Sequence, residues 1–312
     1  MKKTILTTLL AAVAAITIHA QFLFRIQGGG LEKPSYMLGS CHTMPGTILD
    51  SIPEYLKAEE ACQQLYVEMN LNSQQQMDEV KNAGQQATTL PDGKTIFDVL
   101  TPEQLDALNY RFKETFEVDL TDSTMKSSWN YQPFVFPSSF TMIFTLKEMV
   151  KHPELGMAGK PIDGVCITRA QERGMTIGQL DQIQSQDSLQ KMRDTWMENI
   201  DVQVDSLMSF LEHFDERKQQ SIDEVLQAVT VAKYWKLGDY NSFDTDSFWI
   251  SQLEKNPALF KQRNEKWLPK ITGAIQQAPT LFVFGAGHLI GKDGIVNKLR
   301  EAGYKVEQIK TN

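Results

Sequence analysis

Apolar positions fall in two rhythms along this chain: short runs near its ends and three-to-four-residue spacing through its middle. Leu281 to Phe284 is an unbroken apolar run, the pattern of a strand buried on both faces of a parallel sheet. It stops at Gly285-Ala286-Gly287-His288, after which Ile295, Leu299 and Ala302 recur at near-helical spacing. Gly303 can end that helix, and Tyr304-Lys305-Val306 is extended again. Near the other end, Gln21 to Gln27 alternates loosely as a first strand, and Gly28-Gly29-Gly30 forces a turn. Tyr36-Met37-Leu38 returns as the second strand of a hairpin and runs into Gly39-Ser40-Cys41-His42. Ser51-Ile52-Pro53-Glu54 carries a capping-box pattern that predicts a helix to about Gln63. Leu65 to Met69 then reads as a strand with Glu68 near its carboxyl end. The β-α-β order makes this strand parallel to the one before His42 and its neighbour.

The middle is helical. Thr101-Pro102-Glu103-Gln104 is a capping box opening a helix to about Phe116. Phe134 to Val150 is rich in phenylalanine and methionine, with Pro133 and Pro137 breaking the chain ahead of its helical part. Such a stripe reads as core. Gly159-Lys160-Pro161 is a turn before a helix over Asp163 to Arg173. Gly174 to Ile177 is a short strand, ending near Leu180-Asp181. Apolar residues from Asp187 to about Phe214 predict one long amphipathic helix, and Ile222 to Trp235 a second, stopped around Gly238-Asp239. Asn256-Pro257 begins the last helix before the closing β-α-β unit. The fold class is therefore α/β: a largely parallel or mixed sheet with a large helical insertion. No Gly/Ser-rich or Pro-rich linker divides residues 21–312, which read as one domain.

Ahead of that domain, Lys2-Lys3, the mainly apolar Ile5 to Ile18 and a cut at Ala20-Gln21 form an export signal at 1–20. The segment is short for a span and no second apolar stretch of spanning length follows, so stable membrane insertion is not expected. The protein is expected in the periplasm or secreted. Its formal net charge of −8, more negative still without the two leader lysines, argues against nucleic acid as a partner. The three cysteines, Cys41, Cys62 and Cys166, allow at most one disulfide and give no zinc-finger spacing.

Two of the five histidines, His42 and His288, close a G-x-x-H directly after a strand-like run. If their strands run parallel in one sheet, both rings emerge at its carboxyl edge, where ligands collect in open α/β sheets. Glu68 joins them from a third parallel strand, so the three should converge within about 8 Å, room for one shared ion. Gly39, Gly285 and Gly287 supply tight turns and space beside the peptide. Each residue also has a structural reading. His288 can cap a turn on a backbone carbonyl, and Glu68 can be an ion-pair partner of Arg263. Arg263-Asn264 can be a helix-surface pair or can hold the site carboxylates from behind. Cys41 beside His42 is read as a half-buried thiol rather than a nucleophile, because adjacent residues in an extended segment point apart.

The chain resembles the TraB/GumN family, which includes the Tiki metalloproteases. The resemblance rests on Tyr36 to His42, Val67-Glu68-Met69-Asn70-Leu71, Gly159-Lys160-Pro161, Gly238-Asp239, Arg263-Asn264 with Trp267, and Gly285 to Gly291. Ser40 replaces the family's usual Thr, and Leu180-Asp181 stands where many members have Leu-Glu. It implies a sheet of two related β/α halves, like the erythromycin-esterase and ChaN-like folds. It further implies a metal-dependent peptidase in which His42, Glu68 and His288 hold a divalent ion (Mn, Co or Zn) and do the catalytic work on a peptide or protein substrate. Arg263, Asn264 and Asp181 would then lie in the surrounding shell. H-E-x-x-H is absent, so ordinary zincin chemistry is not implied. The other reading is a non-catalytic protein of the same fold that holds a metal, haem or small ligand between the histidine loops. Glu68 separates the two, because water activation calls for a carboxylate.

Overall fold

The computed structural model describes residues 22–69, 88–155, 159–181 and 199–310. The export signal at 1–20, Gln21, Asn70-Leu71 and the first part of the helix expected from Asp187 lie outside the described residues. Six strands, β1 (Leu23–Gly28), β2 (Ser35–Ser40), β3 (Gln64–Val67), β4 (Thr176–Gln179), β5 (Thr280–Gly285) and β6 (Tyr304–Gln308), form one sheet. Their order is β4-β3-β5-β2-β1-β6. β4, β3, β5 and β2 run parallel, while β1 is antiparallel to both β2 and β6.

This order follows from the apolar pattern. β5 is buried along Thr280–Phe284, as an unbroken run must be when both sheet faces are covered. It therefore takes a central place, between β2 and β3. The register pairs Gly39 with Phe284 and Ser40 with Gly285, so both G-x-x-H turns leave the sheet side by side. The β1–β2 hairpin turns through Gly28, Gly29 and Gly30, all at positive φ, which glycine adopts without steric cost.

Helix α1 (Pro53–Ala61) connects β2 to β3. Its start corrects the expected capping box: Ser51 ends a 3₁₀ turn and donates to the Ile48 carbonyl at 2.6 Å, and Pro53 is the first helical residue. The helical insertion contains α2 (Pro102–Phe116), capped by Thr101 and Gln104 as expected, and α3 (Val135–Met149). Pro137 does not precede α3 but sits in its first turn, where a missing N–H needs no partner. After α4 (Ile162–Glu172) and β4 come α5 (Ile200–Glu212) and α6 (Phe214–Leu237). The second of the two expected helices thus begins at Phe214 rather than Ile222, with the break at His213. Two helices between Gly238 and the last long one were not read from the sequence: α7 (Tyr240–Asp244) and α8 (Ser247–Lys255). α9 (Lys261–Gln277) starts later than Asn256-Pro257, and α10 (Ile295–Glu301) joins β5 to β6.

Two hydrophobic clusters result. One lies against the sheet and includes Leu38, Leu65, Trp235, Trp267, Phe282, Phe284 and Leu299. The other is an aromatic core within the insertion, built from Leu108, Phe112, Phe136, Phe140, Phe144, Leu207 and Phe214. The phenylalanine stripe of α3 is thus core, each ring's burial worth about 1.5–3 kcal/mol. α6 ties the clusters together: Phe214 packs in the insertion, while Val231 and Trp235 pack under the sheet. Trp235 Nε1 donates to the Gly39 carbonyl at 2.6 Å and pins this helix beside the first G-x-x-H turn.

Candidate functional site

Each of the four parallel strands delivers one polar residue at its carboxyl end. Across the sheet these are Asp181 after β4, Glu68 after β3, His288 after β5 and His42 after β2. The peptide N–H of Gly285 donates to Glu68 Oε1 at 2.6 Å, tying the glutamate to the neighbouring strand end. His42 Nε2 and His288 Nε2 each lie 3.9 Å from that same oxygen. The convergence expected from the strand pattern is present in the fold.

Each imidazole is oriented from its far side. His42 Nδ1 lies 2.9 Å from Asp163 Oδ2, an acceptor at the start of α4. His288 Nδ1 lies 2.7 Å from Asn264 Oδ1 on α9, and Asn264 Nδ2 donates to the Asp293 carbonyl at 2.8 Å and the His288 carbonyl at 3.3 Å. Those two donations fix which end of the amide carries oxygen, so His288 Nδ1 bears the proton and Nε2 the lone pair. The surroundings differ sharply. His288 is buried between Trp267, 4.3 Å away ring to ring, and Phe260, 5.4 Å away. Burial, then the charges of Arg263 and His42, push its pKa down to about 3. His42 is more exposed, and its hydrogen bond to Asp163 raises its pKa above the ordinary histidine value.

Arg263 joins the carboxylates. Its Nη2 lies 2.6 Å from Glu68 Oε2 and 2.6 Å from Asp181 Oδ2, and its Nη1 lies 3.2 Å from His288 Nε2. Trp267 supports the guanidinium at 4.6 Å and donates through Nε1 to Asp181 Oδ1 at 2.6 Å. The ion pair between Glu68 and Arg263 weighed in the sequence is therefore present. Asp181, Arg263 and Asn264 all surround the three convergent residues, and Asn264 is buried rather than part of a helix surface.

The motif glycines serve by absence of a side chain, not by unusual backbone: none of Gly39, Gly285 and Gly287 has a positive φ. The chain does turn sharply after β5, in a 3₁₀ turn over Ala286–His288, without using the left-handed region. A Cβ at Gly285 would stand 3.0 Å from His42 Nε2 and 3.2 Å from Glu68 Oε1. One at Gly39 would stand 2.3 Å from Leu289 Cδ1, and one at Gly287 2.8 Å from Phe260 Cε1. Cys41 is free and buried, and that burial raises its pKa above the ordinary thiol value.

Beside the polar edge lies a cavity of about 330 Å³, walled by Ala228, Val231, Phe243, Trp249, Leu259 and Phe260, with His42, Glu68, Arg263 and His288 on its other side. Sequence reasoning missed the part of this wall that α7 and α8 supply, Phe243 and Trp249. It also missed Asp163, which accepts from Ser40 Oγ at 3.1 Å as well as facing His42. The available signal was its place two residues after the Gly159-Lys160-Pro161 turn, where an acidic residue in a first helical turn reads as a dipole cap.

The donors have the right chemistry for a divalent ion: two neutral-capable imidazole Nε2 atoms and a carboxylate oxygen, with both Nδ1 atoms held by hydrogen-bond acceptors, as metal-binding histidines require. Among the described residues, however, no three such side chains are drawn closely enough to grip an ion as they stand. Arg263 already takes Glu68 Oε2 and faces the His288 lone pair.

The chain belongs to the TraB/PrgY/gumN family, whose family model matches residues 22–308. It is also similar to Metalloprotease TIKI1 of Danio rerio, at 38% identity over 52 residues. That stretch is 16% of this chain and 10% of the relative's length. No solved structure matches the chain.

Proposed function

We propose that this member of the TraB/PrgY/gumN family is an exported metal-dependent hydrolase acting on peptide bonds, with His42, Glu68 and His288 as the ion-holding set. One observation carries the reading: two imidazoles from separate strand ends direct Nε2 at one oxygen of Glu68, 3.9 Å from each. Two imidazoles from separate strand ends, each with its own Nδ1 partner and both facing one carboxylate oxygen, suit a shared cation.

A divalent ion of the Mn, Co or Zn kind, when bound, would supply Lewis acidity and activate water. The chain's own residues would do the rest. Asn264 and Asp163 keep the proton on Nδ1 of the two rings, so that each Nε2 is a lone-pair donor. Glu68, its Oε1 steadied by the Gly285 N–H, would hold the ion together with the two rings. Gly285, having no side chain, lets the tips of His42 and Glu68 close in beside its backbone. The apolar wall of Val231, Phe243, Trp249 and Phe260 would exclude bulk water and seat an apolar side chain of a peptide.

Metal analysis of the purified protein, then a peptide-library digest with and without chelator, tests this reading. Chelator-sensitive cleavage that disappears in His42→Ala and His288→Ala supports it; metal-loaded protein that cleaves no peptide would overturn the peptidase. Export is tested separately by mass spectrometry, which should find Gln21 at the amino terminus. A second reading, a non-catalytic metal- or small-ligand-binding protein, is favoured by Arg263, which occupies Glu68 at 2.6 Å. Metal uptake without turnover would select it.

A further inference from the structure

Arg263 occupies the groups that would hold an ion. A guanidinium stays protonated and has donors only, so Nη1, 3.2 Å from His288 Nε2, points a proton at the ring's lone pair. Nη2 likewise donates to Glu68 Oε2 at 2.6 Å. A dication brought beside this guanidinium would meet like charge in a partly buried place, where screening is weak. Arginine and metal are therefore alternative occupants of one carboxylate and one imidazole.

The structure also provides somewhere for the arginine to go. Asp181 meets the guanidinium at two points, Nη2 to Oδ2 at 2.6 Å and Nε to Oδ1 at 3.4 Å. Asp181 is itself anchored, since its Oδ1 accepts from Trp267 Nε1 at 2.6 Å and its peptide N–H donates to the Glu68 carbonyl at 2.9 Å. The Trp267 ring lies along the guanidinium at 4.6 Å and can support it in either position. A small rotation of the Arg263 side chain would leave it paired with Asp181 alone and free both Glu68 and His288.

We propose that Arg263 is a resident counter-cation that competes with a divalent ion for Glu68 and His288, and that Asp181 is the carboxylate that receives it when the ion loads. This rests on the metal reading of the site and adds its regulation: occupancy is set by a competition built into the chain. A plain positioning role for Arg263, holding Glu68 in place for the ion, makes the opposite prediction.

The test is a titration of the purified protein with Co²⁺, read by calorimetry and by the visible absorption of the bound ion. Arg263→Gln should bind Co²⁺ at least about tenfold more tightly than the parent protein, and Co²⁺ should raise its Tm more. Arg263→Lys, which keeps the charge, should stay near the parent. Asp181→Asn should bind several-fold more weakly, because the arginine then has Glu68 as its remaining carboxylate. Equal or weaker binding by Arg263→Gln would overturn the competition while leaving the metal site standing. Binding of Co²⁺ by none of these proteins would overturn the metal reading and this inference together. If circular dichroism shows Arg263→Gln unfolded, Asp181→Asn decides: unchanged affinity there rejects the proposal.

Discussion

Asn264 Oδ1 lies 2.7 Å from His288 Nδ1, and the same amide donates to the Asp293 carbonyl at 2.8 Å and the His288 carbonyl at 3.3 Å. One buried side chain thus sets the tautomer of the second G-x-x-H histidine and closes the loop that carries it. Asn264→Ala would leave a ring N–H and two carbonyls unpartnered, each costing about 1–3 kcal/mol. A loss of roughly 3 kcal/mol in urea unfolding is expected, and a loss under about 1 kcal/mol would show that the network does not hold the loop.

The buried His288 makes stability depend on acid. Its folded pKa is about 3, against about 6.5 in an unfolded chain. Between these values the unfolded state takes up a proton that the folded state refuses. The stabilisation is therefore complete above about pH 6.5 and lost as pH falls toward 3, at up to about 1.4 kcal/mol per pH unit. His288→Gln should flatten the stability profile between pH 6 and pH 4 by about one proton.

His42 behaves in the opposite sense. Its hydrogen bond to Asp163 raises its pKa, so the stabilisation it contributes is full below about pH 6.5 and lost as pH rises through the raised value. Asp163→Asn should lower the His42 pKa in an NMR titration without moving that of His288.

Gly285→Ala separates site from fold. The added Cβ would press on His42 Nε2 at 3.0 Å and Glu68 Oε1 at 3.2 Å, both ends of side chains that can give way. Stability should change by less than about 1.5 kcal/mol while Co²⁺ affinity drops at least about tenfold. Gly39→Ala meets Leu289 Cδ1 at 2.3 Å and the Ala286 backbone at 3.2 Å, and should destabilise the fold by about 1–3 kcal/mol.

All three thiols are free and buried, and burial pushes Cys62 and Cys166 up to about 12. Reductant should leave Tm unchanged. A disulfide reagent should label no thiol in the native protein and three in denaturant. Rapid native labelling of any one would contradict the packing.

The local pattern was enough for the sheet and its polar edge. An unbroken apolar run in Leu281 to Phe284 required burial on both faces, and a G-x-x-H after each of two such strands placed His42 and His288 at one edge. Strand direction propagates from residue to residue, so the convergence with Glu68 was legible. Capping by Thr101 and Gln104 was legible for the same reason, because cap and helix are neighbours in sequence.

What the tertiary structure alone decided are the contacts between residues remote in the chain. Asp163 meets His42 across 121 positions and Arg263 meets Glu68 across 195. No periodicity encodes such a pairing. The short helices α7 and α8 carry too few turns to register as a pattern, yet Phe243 and Trp249 from this segment form part of the wall of the site. Whether Arg263 lay on a surface or between two carboxylates depended on which face of α9 the sheet covers. That choice is made by packing Trp267 and Ile271 into the core, a condition set by the whole fold rather than by the helix itself.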